Sequence, residues 1–356
     1  MGRVLVIRFG SLGDVVITSA VVEALYRSGE SPRIVYVTKR RYAALFEGDS
    51  RIERVVGVEH DDSPFAIARA AGTGFDAVID LHGTLRSIAV SALVKAPVKA
   101  RVRKHGLARR LMVWSRNRFR RRFDVLGGYM DTLRAFGVAE RILPRLVPSP
   151  DSLDSADRLL APCRKAESLM IGLAPGSRHP TKRWDARSWA RLADLCVARG
   201  HVPLIIGDTD DRAFAGEVRE LAETDIPSIA GKADLRATVG AIARLDCLVS
   251  NDSGPMHIAG ALGTPFVAVF GPTHPDLGFA PGYPTGAILH AGLPCSPCSI
   301  HGESPCRLGG RPCMSLISPE MVIDGADRMI SLRAAGHTEA DRSEERRVGK
   351  ECRSRW

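Results

Sequence analysis

The feature that most constrains the fold occurs twice: a short apolar segment that ends in a glycine-rich turn and leads into a helix. Residues 3–8 read RVLVIR before Gly10, and residues 169–174 read LMIGLA before Pro175-Gly176-Ser177. Apolar, β-branched segments of this length are typical of strands buried on both faces of a parallel sheet. The chain is therefore predicted to be an α/β protein in which each half begins on such a strand.

The alternation of strands and helices continues after both segments. Further elements are predicted as strands at 33–38, 76–81, 202–206, 246–250 and 266–270, and as helices at 15–28, 186–199, 212–223 and 255–262. The Pro- and Ser-rich residues 144–155 lack periodicity and are predicted to be a linker. For 356 residues, this organisation indicates two domains, 1–150 and 151–336. The charged residues 337–356 are predicted to be a disordered, non-native tail.

The composition is that of a globular protein without a membrane span. Hydrophobic residues make up 45% of the chain and charged residues 25%. The N-terminal apolar run is short and lacks a small-residue cleavage site, so it is predicted to be a strand and not a signal peptide. No apolar stretch approaches the roughly 20 residues that cross a bilayer. A cytoplasmic protein is therefore expected.

The net charge of +10 is concentrated in residues 99–122, which contain eleven Lys and Arg and no acidic residue. One interpretation is a solvated basic helix and loop. A second is a surface for anionic lipid or a phosphorylated glycolipid, favoured by the interleaved Leu107, Leu111, Met112, Trp114 and Phe119. Nucleic-acid binding is the third, but no RNA- or DNA-binding motif accompanies the segment. We favour the second, which predicts peripheral contact with the inner membrane and no nucleic-acid partner.

The loops after the first and third strands carry polar residues where open α/β sheets bind ligands. The first loop contains Gly13 and Asp14. Asp14 is either a helix N-cap or a carboxylate that accepts the proton of an acceptor hydroxyl. The other loop contains His82 and is followed by Arg86, which could bind a phosphate or carboxylate of the acceptor or lie on the surface. Gly13, His82 and Arg86 are the candidate acceptor-binding residues.

The loops of the second half are rich in cations and then in acids. Ser177 is followed by Arg178 and Lys182, and a Gly-Ser turn beside cations suits a diphosphate, although a basic surface loop is the alternative. Lys182 would neutralise the charge that grows on a leaving diphosphate. The next strand is followed by three acidic residues, among them Asp211, one of which could accept hydrogen bonds from ribose hydroxyls.

Residues 250–257, S-N-D-S-G-P-M-H, form a polar turn between a predicted strand and an apolar helix. Asp252 or Ser253 would cap that helix, and its free N–H groups, beginning near Gly254, would point at an anion. Because Asp252 beside a diphosphate is repulsive, its carboxylate is expected to contact sugar hydroxyls or to orient a cation. His257 faces the same end of the helix, and the alternative for it is a core histidine.

At these residues the sequence resembles glycosyltransferase family 9, the bacterial lipopolysaccharide heptosyltransferases. The matching segments run in order between about residues 2 and 330: R-F-G-S-L-G-D (8–14), D-L-H-G-x-x-R-S (80–87), A-P-G-S-x-x-x-x-K-R-W (174–184), S-N-D-S-G-P-M-H-I-A (250–259) and V-F-G-P-T (269–273). The resemblance implies a GT-B fold, in which two Rossmann-like domains face each other across a cleft and the helix at 318–333 returns to the first domain.

The resemblance also implies an activity and roles for the residues. The reaction would be an inverting transfer of a heptose from ADP-heptose to Kdo-lipid A or heptosyl-Kdo-lipid A. The protein would be peripheral to the inner face of the inner membrane. Asp14 would be the general base and Lys182 the diphosphate ligand. The donor-binding group would be Ser177, Arg178, Lys182, Asp211, Asp252, Ser253, Gly254 and His257. No cofactor or metal ion is expected, because protein cations and a helix N-terminus would hold the departing ADP.

Four cysteines, Cys295, Cys298, Cys306 and Cys313, resemble those of the heptosyltransferase II-like branch, which favours addition of the second heptose. Such thiols could bind zinc. Structural thiols are favoured, because the spacing is irregular and Pro and Gly are dense.

Two other function classes stay open. A sugar-nucleotide epimerase shares this fold and would interconvert the donor without an acceptor. A non-catalytic protein that binds anionic membranes would account for residues 99–122 and leave the strand-end motifs without a role.

Overall fold

The computed structural model describes residues 2–29, 31–116, 118 and 121–336. The strands are β1 (Arg3–Ile7), β2 (Arg33–Lys39), β3 (Ile52–Val58), β4 (Ala77–Asp80), β5 (Val98–Arg101), β6 (Met170–Ala174), β7 (Val202–Ile205), β8 (Cys247–Asn251), β9 (Phe266–Phe270) and β10 (Gly286–His290). The α-helices are α1 (Leu12–Ile17), α2 (Ser19–Arg27), α3 (Arg40–Ala43), α4 (Pro64–Ala71), α5 (Leu85–Leu93), α6 (Gly106–Trp114), α7 (Val125–Met130), α8 (Pro150–Leu160), α9 (Ala186–Ala198), α10 (Arg212–Leu221), α11 (Leu235–Ala243), α12 (Gly254–Leu262), α13 (Pro312–Ser315) and α14 (Pro319–Ala334). The α/β prediction is therefore confirmed.

The first compact unit comprises residues 1–105 and 124–149 and contains a parallel sheet in the order β3-β2-β1-β4-β5. The central strand β1 is almost wholly buried because helices cover both of its faces, as its continuous apolar sequence predicts. The sequence patterns did not predict β3 and β5. Both lie at the edges of the sheet and expose several residues, so β3 carries charged residues and β5 is basic.

The second compact unit comprises the described residues of 106–123 and 150–336 and contains a parallel sheet in the order β10-β9-β8-β6-β7. Strands β6 to β9 were predicted, whereas the edge strand β10 was not. Helix α14 packs on this sheet through Val322, Ile323, Ala326 and Met329, which share a core with Val249 and Val267. The apolar side of α14 is therefore buried within the second unit, and the return of the helix at 318–333 to the first domain stays a prediction.

The boundary between the units differs from the predicted one. Residues 106–123 belong to the second unit and residues 124–149 to the first, so the first unit is not the continuous range 1–150. The second half of the predicted linker is helical, because α8 begins at Pro150, and proline is favourable at the first helical position. Its residues Ser152, Ala156 and Leu160 are buried at helical spacing.

Two further predictions concern the C-terminal tail and the absence of a membrane span. The tail at 337–356 lies outside the described residues. Within the described part of the chain, no helix combines the length and the apolar character that crossing a bilayer requires. The cleft between the two units stays a prediction.

Candidate active site

Asp14 lies in the first turn of α1 and does not cap that helix. The N-cap position is occupied by Ser11, so the predicted N-cap at Asp14 is wrong. Its carboxylate contacts the side chains of Arg8, Ser11 and Tyr129 instead. Oδ2 lies 2.6 Å from Nη2 of Arg8 and accepts a hydrogen bond of 2.9 Å from Oγ of Ser11, and Oδ1 accepts one of 2.8 Å from Oη of Tyr129. These contacts fix the direction of the carboxylate.

The electrostatics around Asp14 favour its ionised form. Arg8 is 7% exposed, and its Nη1 donates to the carbonyl oxygen of Leu81 at 2.7 Å. Burial by itself would lower the pKa of Arg8, but the charge and hydrogen bond of Asp14 together with the charges of Tyr129 and Tyr36 outweigh it, and the pKa is raised. Burial, together with Asp14, raises the pKa of Tyr129 well above its usual value. Both groups are therefore donors at neutral pH, and a donor-held carboxylate remains charged.

His82 follows β4 on a turn that Asp80 organises. The Asp80 carboxylate accepts from the backbone N–H groups of His82 and Gly83, both at 2.9 Å, and from Oγ of Ser87 at 3.0 Å. Burial lowers the pKa of His82 to about 4, and the charges of Arg8 and Lys104 add to this effect. The imidazole is therefore neutral at physiological pH. Its buried Nδ1 has no hydrogen-bond partner among the described residues.

The other two candidate acceptor-binding residues are placed differently. Gly13 lies in the first turn of α1 beside Asp14. Arg86 donates from Nη2 to the carbonyl oxygens of Glu59 and Asp62, both at 2.6 Å. It therefore braces the loop that follows β3, and its contact with an acceptor stays a prediction.

In the second unit, Lys182 and Asp252 form an ion pair. Nζ of Lys182 lies 2.7 Å from Oδ2 of Asp252, and the two side chains are 13% and 9% exposed. Oγ1 of the buried Thr273 donates to the same carboxylate oxygen at 2.7 Å. Burial would raise the pKa of Asp252, but the charge and hydrogen bond of Lys182, together with the hydrogen bond of Thr273 and the charge of His257, outweigh it and the pKa is lowered. This geometry corresponds to the second option for Asp252, a carboxylate that orients a cation.

Asn251 joins the two loops that carry this pair. Its Nδ2 donates to the carbonyl oxygen of Pro175 at 2.8 Å, and its Oδ1 accepts from the backbone N–H of Trp184 at 3.1 Å. The carbonyl oxygen of the buried Ser177 accepts from Nε of Arg183 at 2.9 Å. These bonds shape the cationic loop locally and hold it against the end of β8.

The N-terminus of α12 has the geometry of an anion site. Its N-cap is Ser253, as one of the two predicted options, and the Ser253 side chain makes no hydrogen bond to the helix backbone. Its hydroxyl lies 3.1 Å from that of Ser250 instead. The helix begins at Gly254 with Pro255 in the first turn. The first backbone N–H groups of a helix have no intrahelical acceptor and attract negative charge.

Asp211, His257 and Arg178 occupy three different environments. Asp211 packs against Gly176 so closely that a Cβ atom on that glycine would lie 2.1 Å from Oδ1. Burial and then Asp208 raise the pKa of Asp211. His257 lies on α12, is 5% exposed, and its charge helps to lower the pKa of Asp252. Arg178 is exposed.

The cysteine-bearing segment packs on the cationic loop. Oγ1 of Thr181 donates to the carbonyl oxygen of Gly302, and Nη1 of Arg311 donates to that of Arg183 at 2.6 Å. A Cβ atom on Gly302 would lie 2.6 Å from Cγ of Lys182. Within the described ranges, no three His, Cys, Asp or Glu side chains are arranged to hold a metal ion. The choice between structural thiols and a zinc site stays open.

Four residues of these networks had no role in the sequence-based predictions: Arg8, Asn251, Thr273 and Tyr129. The first three stand within or at the end of a segment quoted for the resemblance, and a charged or amide side chain at the end of a buried strand is the signal that could have singled out Arg8 and Asn251. Tyr129 is 115 residues from Asp14 and carries no such signal.

The sequence profile of glycosyltransferase family 9 (heptosyltransferase) matches residues 65–305. The chain belongs to glycosyltransferase family 9. A structure of a family 9 glycosyl transferase from Veillonella parvula superposes with a TM-score of 0.75 at 25% identity, covering 92% of this chain and 97% of that one. The E. coli ADP-heptose lps heptosyltransferase II superposes with a TM-score of 0.71 at 20% identity, covering 93% and 99%. The predicted GT-B fold with two Rossmann-like domains is therefore confirmed.

Sequence similarity to one heptosyltransferase 2 relative extends over a shorter range. The lipooligosaccharide heptosyltransferase 2 of Haemophilus influenzae is 35% identical over 115 residues, which is 31% of this chain. The aligned part spans 33% of the length of that relative. The family is therefore established over most of the chain, whereas the alignment to this relative covers about a third of each protein.

Proposed function

We propose that the chain is an inverting heptosyltransferase that transfers a heptose from ADP-heptose to the inner core of lipopolysaccharide. The observation that carries the proposal is the buried Lys182–Asp252 pair beside the N-terminus of α12. A fixed cation next to uncapped N–H groups suits the diphosphate of a nucleotide-sugar. Membership of family 9 and the names of the relatives support the choice of heptose and ADP.

The proposed step is a direct displacement at the anomeric carbon. A bond forms between the acceptor oxygen and the anomeric carbon, while the bond from that carbon to the β-phosphate oxygen breaks. ADP leaves with the electron pair, and the proton of the acceptor hydroxyl passes to Asp14. Arg8 and Tyr129 support this role because they hold the carboxylate ionised and in one orientation.

Residues of the second unit would bind and stabilise the donor. Lys182 and the N–H groups at Ser253 and Gly254 would hold the diphosphate, where negative charge grows as ADP departs. Asp211, close to the Gly176 turn, would accept hydrogen bonds from the ribose. Ser177, Arg178 and His257 complete the proposed donor group.

The acceptor is proposed to be Kdo-lipid A or heptosyl-Kdo-lipid A. The neutral, half-buried His82, whose Nδ1 has no hydrogen-bond partner among the described residues, supports an acceptor site close to Asp14 in the first unit. The cysteine segment and the name of the Haemophilus relative favour the acceptor that already carries one heptose.

A donor and acceptor panel tests this function. ADP-heptose and ADP-, GDP- and UDP-hexoses are each incubated with Kdo-lipid A and with heptosyl-Kdo-lipid A, and the products are resolved by mass spectrometry. We expect transfer from ADP-heptose and a preference for the second acceptor. Conversion of a donor in the absence of any acceptor would instead identify an epimerase, and no turnover with any pair would overturn the proposal.

Because the proposed acceptor is a lipid, we also propose that the enzyme works at the cytoplasmic face of the inner membrane as a peripheral protein. The excess of Lys and Arg in residues 99–122 supports this location. Part of that segment, residues 117, 119 and 120, lies outside the described residues, so the surface is argued below from α6.

A further inference from the structure

Helix α6 presents an apolar stripe to solvent. Leu107, Leu111 and Trp114 are 80%, 48% and 81% exposed. They stand at positions i, i+4 and i+7 and therefore share one face of the helix. Amphipathic helices of globular proteins normally turn this face to the core. A contiguous stripe of exposed large apolar residues indicates a surface that is covered in use.

The opposite side of α6 fixes the helix to the second unit. Met112 is 2% exposed. Nε of Arg109 donates to the carbonyl oxygen of Leu277 at 3.1 Å, and its guanidinium lies 5.1 Å and 5.2 Å from the ring centroids of Phe123 and Phe279. With one side anchored in this way, the exposed stripe is a feature of the folded unit and cannot be buried by rotation of the helix.

The charge around the stripe identifies its partner. Arg110 lies on the same face, and Arg116 and Arg118, which follow the helix, are exposed. No acidic residue occurs between residues 99 and 122. Apolar residues that can enter the acyl boundary, flanked by cations that can reach phosphate groups, match an anionic bilayer surface. A second copy of this chain would bring the same cations against each other, which argues against self-association here.

We propose that Leu107, Leu111 and Trp114 of α6 insert into the interface of an anionic bilayer, with Arg110, Arg116 and Arg118 binding its phosphate headgroups. This inference rests on the proposed function only because a lipid acceptor gives the protein a reason to contact a membrane. The insertion itself is a property of the second unit, and it can be measured without donor or acceptor.

Tryptophan fluorescence gives a direct readout of insertion. Of the four tryptophans, Trp184 and Trp189 are fully buried, whereas Trp114 is exposed. Trp356 lies outside the described residues and is replaced in a Trp356→Phe background. We expect the emission of this protein to shift to shorter wavelength with vesicles of phosphatidylglycerol and to stay unchanged with phosphatidylcholine. Brominated acyl chains in the anionic vesicles should quench it.

Vesicle co-sedimentation separates the apolar and the cationic contributions. We expect Trp114→Ser to lower the partition constant about tenfold and Arg110→Gln to lower it about fivefold. Phe65→Ser is the matched control, because Phe65 is 66% exposed on α4 in the other unit and should have no effect. Far-ultraviolet circular dichroism and thermal unfolding check that each variant is folded.

Two outcomes would overturn the inference. One is an absence of emission shift and sedimentation with anionic vesicles. The other is sedimentation that Trp114→Ser and Leu107→Ser leave unchanged, which would indicate a contact by charge alone or elsewhere on the chain. If the parent does not bind vesicles but associates with itself at high concentration, and Trp114→Ser abolishes that association, the stripe is instead a contact with a second copy of the chain. Heptose transfer to a soluble acceptor without acyl chains should be equal in the parent and in Trp114→Ser, so failure of the inference and of the proposed function are distinguishable.

Discussion

The guanidinium of Arg8 lies 2.6 Å from the carboxylate of Asp14, and both residues come from the first strand–turn–helix segment of the chain. The pair is almost removed from solvent at the Arg8 end, where that side chain is 8% exposed. In this setting Arg8 is a positioning residue for the proposed base. Its charge keeps the carboxylate ionised, and its planar head restricts the carboxylate direction.

We expect Asp14→Asn to lower kcat by about 10²- to 10⁴-fold, because it removes the proposed proton acceptor. The affinity for ADP, measured by calorimetry, should stay near that of the parent, since no residue of the second unit changes. Wild-type turnover in Asp14→Asn would show that another group takes the proton.

We expect Arg8→Lys to lower kcat about tenfold to hundredfold, because a charged hydrogen bond to the carboxylate is lost or weakened. The acid limb of its pH–rate profile should move to higher pH than in the parent. Among the described titratable groups, Arg8, Tyr36, His82, Lys104 and Tyr129 interact electrostatically with Asp14. Tyr129→Phe is a second test, because it removes one hydrogen bond to Asp14 and leaves the charge of Arg8 in place. A fall in activity with an unchanged pH profile in both variants would point to a purely structural role.

We expect Lys182→Ala to lower kcat/KM for the donor about 10²- to 10³-fold, since it removes a cation from the developing diphosphate charge. Asp252→Asn should have a smaller effect, because Lys182 stays but loses its partner. Initial rates at varied donor concentration and fixed acceptor measure both. Unchanged donor kinetics in Lys182→Ala would remove this residue from the donor site.

Gly176→Ala should destabilise the second unit by about 1–3 kcal/mol, because its Cβ would overlap Asp211 and the surroundings must shift. Gly216→Ala is the matched control. Gly216 lies in α10, and beyond its chain neighbours and the backbone of its own helix no heavy atom lies within 4 Å of its Cβ position, so alanine there should stabilise the helix by about 1 kcal/mol or less. Urea unfolding compares the two, and equal stabilities would contradict the close packing of Gly176 on Asp211.

The pKa of His82 predicts a specific pH dependence of stability. Its value in the folded protein is about 4, below the unfolded value of about 6.5. The neutral imidazole therefore contributes stability that is fully present above about pH 6.5 and is lost as the pH falls through about 4. Compared with the parent, His82→Asn should lose less of its free energy of unfolding between pH 7 and pH 4.5 in urea titrations. Parallel losses in the two proteins would refute the lowered pKa.

Local pattern sufficed to predict the elements that are buried. Seven strands were predicted because each is a continuous apolar segment followed by a turn, a pattern that indicates a buried strand. They are β1, β2, β4, β6, β7, β8 and β9. The edge strands β3 and β5 were not predicted, because each exposes charged residues to solvent and so lacks a continuous apolar pattern. The edge strand β10 was not predicted either. The start of α8 was not predicted, because proline and serine were interpreted as linker residues, although proline is also favourable at the first position of a helix.

By itself, the sequence determined the two α/β halves, the family resemblance and the loops that carry the candidate residues, since these depend on short-range patterns and spaced motifs. Only the tertiary structure decided what each candidate touches. It brought Tyr129 to Asp14 across 115 residues and Thr273 to Asp252 across 21. It also turned the apolar side of α6 outward while burying that of α14. Such partners depend on how distant elements pack, and side-chain charge and apolarity along the chain do not encode that choice locally.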